Sequence, residues 1–135
     1  MSNRLANRII TPDGTVMQSY HRHHCEIYTD ANGLDYMVDG GLEYQRTIVH
    51  DMAPHVDASV YDTDPHDVIR EAFHWGNRGK LGDQPLKWVA LSKMSDAHIQ
   101  AIIETQTHIQ PHIREAFENE LTYRELLNIN VKDKE

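Results

Sequence analysis

The sequence predicts an α+β fold: an N-terminal antiparallel β-meander with one helix and one further strand, followed by a C-terminal αα-hairpin. Three observations predict it. Turn chemistry at Pro12-Asp13-Gly14, Asn32-Gly33 and Asp39-Gly40-Gly41 separates short extendable runs in the first half. Asp64-Pro65 supplies a helix start. Beyond Ser95 the apolar period changes from two to 3.6. At 135 residues, 39% of them hydrophobic, the chain has material for one modest core, so a single domain over 1–135 is expected.

Each element follows from local chemistry. Residues 8–49 read as a meander of about four strands: Arg8 to Thr11, Val16 to His23, Glu26 to Thr29 with Leu34 to Val38, and Leu42 to Val49. His50 to Ser59 carries Pro54 and no period, and reads as a loop. A helix is expected over 64–75. Asp64 is its N-cap, Pro65 its first residue and Asp67 lies in its first turn; Val68, Ile69, Ala72 and Phe73 share a face, and Gly76 ends it. Gly76 to Gly82 is then a basic loop, and 85–91 a strand. The helical hairpin spans 95–127, with Ser95 as cap, Met94 and Ile99 as a hydrophobic staple, and a second helix restarting at Pro111. There Ile113, Ala116, Phe117 and Leu121 form the inner face, while Arg114 with Glu118 and Glu120 with Arg124 are four apart, as on an outer surface. Lys132 to Glu135 reads as a frayed tail.

Composition excludes several function classes. Lys+Arg number 13 against 21 Asp+Glu, a formal net charge of -8, which argues against non-specific coating of nucleic acid and leaves basic partners open. No apolar run approaches the roughly 20 residues that cross a bilayer, and Met1 to Ile10 lacks a secretory apolar region, so no membrane association and a cytoplasmic location are expected. Cys25 is the single cysteine and has no disulfide partner within the chain. Ten His make the net charge strongly pH-dependent, and full protonation would turn -8 into +2.

Four constellations carry chemistry on paper. His21-Arg22-His23-His24-Cys25, if extended, sets His21, His23 and Cys25 on one face as metal donors, although donors along a straight strand spread apart; the alternative is a polar strand edge. Asp57, Asp62, Asp64, His66 and Asp67 could hold Mg²⁺ or Mn²⁺ for phosphoester chemistry, but Asp64 and Asp67 are also explained as a helix start. His108 and His112 have zinc-ligand spacing, with Pro111 between them and no Glu after His108. Trp75, Arg78 and Lys80 lie close together in a glycine-containing loop of an acidic chain, suited to gripping an anionic group or partner; the alternative is a solvated connection. Phosphate-loop, dinucleotide, nucleophile-elbow and C-x-x-C signatures are missing from the sequence, and no cofactor is expected.

Ser19-Tyr20-His21-Arg22-His23 with Val38-Asp39-Gly40-Gly41-Leu42-Glu43-Tyr44-Gln45-Arg46 resembles a zinc-ribbon-like module of phage and bacterial proteins. Trp88-Val89, Met94 to His98, Ala101 to Glu104 and Glu120 to Arg124 are similar to short accessory proteins of tailed, T4-like bacteriophages. The ribbon's cysteine pairs are replaced here by Thr11 to Thr15 and Thr29 to Gly33, so the resemblance carries over no metal ligand. Arg22, His23, Asp39 and Tyr44 remain, and are expected to satisfy one another as a structural polar cluster. The resemblance implies a viral accessory role in the host cytoplasm rather than a reaction. The expectation is a non-enzymatic protein, self-associating as a homo-oligomer, that binds a host protein or an anionic small signalling molecule, in the manner of a counter-defence inhibitor. The competing reading is a metal-dependent hydrolase or nuclease using the histidines with Asp62 or Asp64.

Overall fold

A computed structural model of the chain describes residues 2–48, 55–79 and 81–132 and shows an α+β fold in two compact units, Met1–Tyr61 and Asp62–Glu135. In the first unit β1 (Arg4–Ile10), β2 (Val16–Ser19), β3 (Cys25–Thr29), β4 (Asp35–Asp39) and β5 (Arg46–Ile48) follow the predicted turns. Two short strands, β6 (Val56–Asp57) and β7 (Val60–Tyr61), occupy part of the stretch expected to be loop, whose residues 50–54 lie outside the described residues. All the pairing is antiparallel, but the strands form two sheets rather than one continuous meander. One runs β2-β1-β6, with β7 on β1, and the other runs β3-β4-β5. They meet over Ile9, Met17, Tyr36 and Val38, with Tyr28 and Leu34 packed alongside.

The break between the sheets has a local cause. The strand expected to run to His23 stops at Ser19, and Tyr20 to His24 form a turn in which the His24 N–H donates to the His21 carbonyl at 2.8 Å. The buried Ser19 hydroxyl fixes this turn, donating to the His24 carbonyl at 2.6 Å and accepting from the Gly41 N–H at 2.9 Å. The strand read as beginning at Leu42 begins only at Arg46, and its last residue, Val49, lies outside the described residues.

In the second unit α1 (His66–Ala72) is shorter than the helix read from sequence. It is followed by β8 (His74–Asn77), which pairs with β9 (Lys87–Ala90). Asp64 is not its N-cap: that position is Pro65, and no side chain caps it. Phe73 turns extended, because residues 74–77 have a sheet partner whose backbone bonds replace the helical ones. Gly76 sits opposite Trp88, and a Cβ there would be in ordinary contact with the indole but would press the Leu86 side chain at 3.1 Å. A 3₁₀ turn, Leu91–Lys93, leads to α2 (Asp96–Thr105) and α3 (Pro111–Leu127). Ser95 caps α2 as expected, accepting from the His98 N–H at 3.1 Å. Pro111 opens α3, whose missing N–H costs nothing at that position. Residues 133–135 of the expected tail lie outside the described residues.

Candidate interaction surfaces

The histidine-rich segment is a turn, so the alternation that would have aligned His21, His23 and Cys25 does not exist. His21 Nδ1 accepts from the His23 N–H and His24 Nδ1 from the Tyr20 N–H, both at 3.0 Å, so one ring nitrogen of each is occupied by the turn's own backbone. Cys25 is exposed at the start of β3. Among the described residues no group of three or more His, Cys, Asp or Glu is placed to hold a metal ion, and Asp62, Asp64, His108 and His112 belong to no such group.

Arg22, His23, Asp39 and Tyr44 take separate partners. Asp39 is nearly buried and binds the Arg46 guanidinium at 2.5 Å, whereas the exposed Arg22 pairs with Glu43 at 3.2 Å. His23 is exposed in the turn, and Tyr44 contributes its carbonyl, not its phenol, to the polar interior. That interior is centred on Asn7, which the sequence did not point to. Its Nδ2 donates to the carbonyls of Asp39 and Tyr44 at 3.0 Å, and its Oδ1 accepts from Gln45 at 2.9 Å. Asn7 and Ser19 are cross-strand partners in β1 and β2, and together they pin the Asp39 to Gln45 segment. The same close approach explains the paired glycines. A Cβ on Gly40 would lie 2.1 Å from the Tyr44 carbonyl oxygen, and one on Gly41 2.5 Å from the His21 backbone.

The loop suspected of gripping an anion divides in the same way. Trp75 lies on β8, half-buried, with its ring edge-on to Phe117 at 5.2 Å, so it serves the core of the second unit. Arg78 is exposed just beyond β8, and Lys80 lies outside the described residues.

The strongest electrostatics lie where the sequence suggested an outer surface. Glu120 is 0% and Arg124 2% exposed. The Glu120 carboxylate accepts four hydrogen bonds: from His66 Nε2 and Arg70 Nε on one oxygen, both 2.9 Å, and from Arg70 Nη2 at 2.9 Å and Arg124 Nε at 2.6 Å on the other. Arg124 also donates to Asp96 at 2.6 Å and to the Leu91 carbonyl at 3.0 Å, and Arg70 lies over the Tyr123 ring at 4.6 Å. Burial alone would raise the Glu120 pKa. The donors from His66, Arg70 and Arg124 outweigh it and hold it at about 2. The same bonds to Glu120 raise the Arg70 pKa. With about four acceptor positions on a carboxylate, Glu120 has none left for a ligand. A cavity of about 530 Å³ beside it is lined by Asp96, Gln100, Leu121, Arg124 and Asn128, but the described donors of Arg124 are directed to Glu120, Asp96 and Leu91.

The first unit exposes three large aliphatic side chains on its strands. Val16 and Val56 both stand opposite Ile10, and are 58% and 59% exposed. Ile27 on β3 is 67% exposed, in register with Met37. The sequence reads Val16 and Ile27 as strand residues but Val56 as part of a loop, and which face a second sheet would leave uncovered depends on packing that alternation does not record.

No protein-family model matches the chain, and no match is found among curated proteins or solved structures.

Proposed function

We propose that this chain is a non-enzymatic binding protein that docks on another protein through the strands of its first unit. The observation that carries the reading is that Val16, Ile27 and Val56 stand more than half exposed on paired strands. Large apolar side chains held on rigid backbone lose little conformational freedom on docking and bury area that drives association. The polar constellations support it from the other side, because Glu120, Asn7 and Ser19 spend their hydrogen bonds inside the units. Joined to the resemblance to accessory proteins of tailed bacteriophages, the reading makes the partner a host protein and the chain an accessory or counter-defence factor acting in the host cytoplasm.

The test is affinity capture from host lysate with the wild-type chain and with a Val16→Thr/Ile27→Lys/Val56→Thr variant, read by quantitative mass spectrometry. One protein retained in stoichiometric amount by the wild type and lost by the folded variant is the expected result. Equal retention by both removes these strands from the interface. Stoichiometric metal in untagged protein, lost in His23→Ala, would favour the hydrolase reading instead.

A further inference from the structure

Resting on that reading, we infer that β3 is the docking edge and that its occupant is a basic, strand-forming segment of the partner, added antiparallel or parallel beside β3. β3 ends its sheet in the order β3-β4-β5, and all five of its residues are in unbroken register with β4. Four of the five are exposed and Tyr28 is half-buried. Sheet edges are ordinarily guarded by lysine, proline, a bulge or a cover. The run Cys-Glu-Ile-Tyr-Thr carries one edge charge, Glu26, and has neither lysine nor proline nor a break in register, and its β-branched and aromatic residues suit pairing.

Charge selects the occupant. Between Cys25 and Asp39 the chain carries Glu26, Asp30, Asp35 and Asp39 and no lysine or arginine. Arg46 neutralises Asp39, and His24 lies 3.4 Å from Glu26. Asp35 is bonded only to a neutral Thr29 hydroxyl among its described contacts, and Asp30 accepts from the Tyr36 hydroxyl and the backbone of its own turn. On the neighbouring loop Asp13 accepts from the Tyr28 hydroxyl at 2.5 Å. An incoming strand therefore meets Ile27 on one face, which the register shares with Asp35 and the neutralised Asp39, and Glu26 on the other face. A strand that sets apolar residues beside Ile27 and basic residues beside Glu26, drawn in by the surplus of negative charge over residues 25–39, satisfies both. A second copy does not, because edge-to-edge pairing would bring two acidic hairpins together.

The probe is an end-capped Lys-Val-Lys-Val-Lys-Val-Lys peptide, with its Glu-for-Lys twin as control, titrated into ¹⁵N-labelled full-length protein. Expected are amide shifts concentrated at residues 25–29, binding that weakens as salt is raised, no response to the acidic twin, and roughly tenfold or greater weakening in Ile27→Lys, the scale of losing one central apolar contact. Because Ile27 is exposed, the dispersion of the free variant's spectrum verifies its fold. Shifts centred elsewhere, equal binding of the acidic peptide, or unchanged affinity in Ile27→Lys overturns the inference. So does a wild-type dimer in sedimentation that Ile27→Lys dissociates, since the edge would then belong to a second copy. If the peptide fails while the triple variant still loses its captured protein, the docking reading stands and only the basic strand is refuted.

Discussion

Replacing Glu120 by glutamine keeps the side chain's shape and removes the anion that the half-buried Arg70 and the buried Arg124 share. Each carboxylate oxygen accepts from at least one arginine N–H, so whichever way the new amide turns, its NH₂ faces an arginine donor that formerly met an oxygen. Arg124 is 2% exposed and cannot recover the loss from water. Removing one partner of a buried ion pair costs about 3–5 kcal/mol. A unit of this length is stable by only about 4–11 kcal/mol. Both tryptophans, Trp75 and Trp88, lie in the second unit, and Trp75 packs on Phe117 of the helix that carries Glu120, so indole fluorescence during urea unfolding reads this unit alone. With a urea slope of about 1–3 kcal/mol/M, the midpoint should fall by roughly 1–5 M. A loss below about 1 kcal/mol would refute the reasoning. Acid supplies an independent arm. The folded pKa of about 2 lies below the ordinary 4.5, so the stabilisation is fully present above 4.5 and drains away as pH falls toward 2. At about 1.4 kcal/mol per unit it amounts to at most about 3 kcal/mol. The gap between wild type and Glu120→Gln should narrow across that window; a gap that stays constant from pH 6 to pH 2.5 would contradict it.

Three further outcomes are expected. Gly40→Ala, with φ +110 and a Cβ 2.1 Å from the Tyr44 oxygen, should destabilise the first unit by about 2–4 kcal/mol, whereas Gly33→Ala, with φ +79 and open space around it, should cost only about 1–2 kcal/mol; comparable losses in thermal melts would refute the close approach. Ser95→Ala should lower the second unit's stability by about 1 kcal/mol and Ser95→Asp should restore most of it, as urea midpoints can verify; a neutral Ser95→Ala would show that the cap contributes nothing. Trp75→Ala should cost about 2–3 kcal/mol through its lost contact with Phe117, while exposed Arg78→Ala stays within about 0.5 kcal/mol, and a reversal of that order by Trp88 fluorescence would return Trp75 to the surface.

The turns were legible because glycine, proline, asparagine and aspartate act within a few residues. The positive φ of Gly14, Gly33, Gly40 and Gly41 falls where the sequence placed its turns. Ser95 and Pro111 were legible for the same reason. The end of α1 was not. Ala72, Phe73 and Trp75 fit a helical stripe, and only the long-range pairing with Lys87–Ala90 converts 74–77 into a strand. The buried hub was misread for a different reason. Glu120 and Arg124 are four apart, the spacing of a solvated ion pair, yet Ile113, Phe117, Glu120 and Arg124 also continue one stripe at offsets of four, three and four. The signal was present; the charge obscured it. His66 and Arg70 repeat the pattern on α1 beside Ile69 and, just past its end, Phe73.

These buried charges bear on recognition through what they leave over. A hydrophobic core of equal volume is often as stable as a buried ion cluster, so bulk burial does not account for Glu120, Arg70 and Arg124. Their bonds are directional: a bidentate guanidinium on one carboxylate admits few arrangements of α1 against α3, where apolar side chains admit many. Asn7 and Ser19 act likewise in the first unit, where three backbone segments meet on two side chains. Polar side chains spent on fixing geometry are withdrawn from ligands, which is why the residues richest in chemistry are the least available for it. Recognition then falls to what each rigid unit exposes. For the first unit that is a strand edge with neither lysine nor proline, an isoleucine and a set of carboxylates, and it follows that affinity should respond to Ile27 and to salt far more than to any histidine.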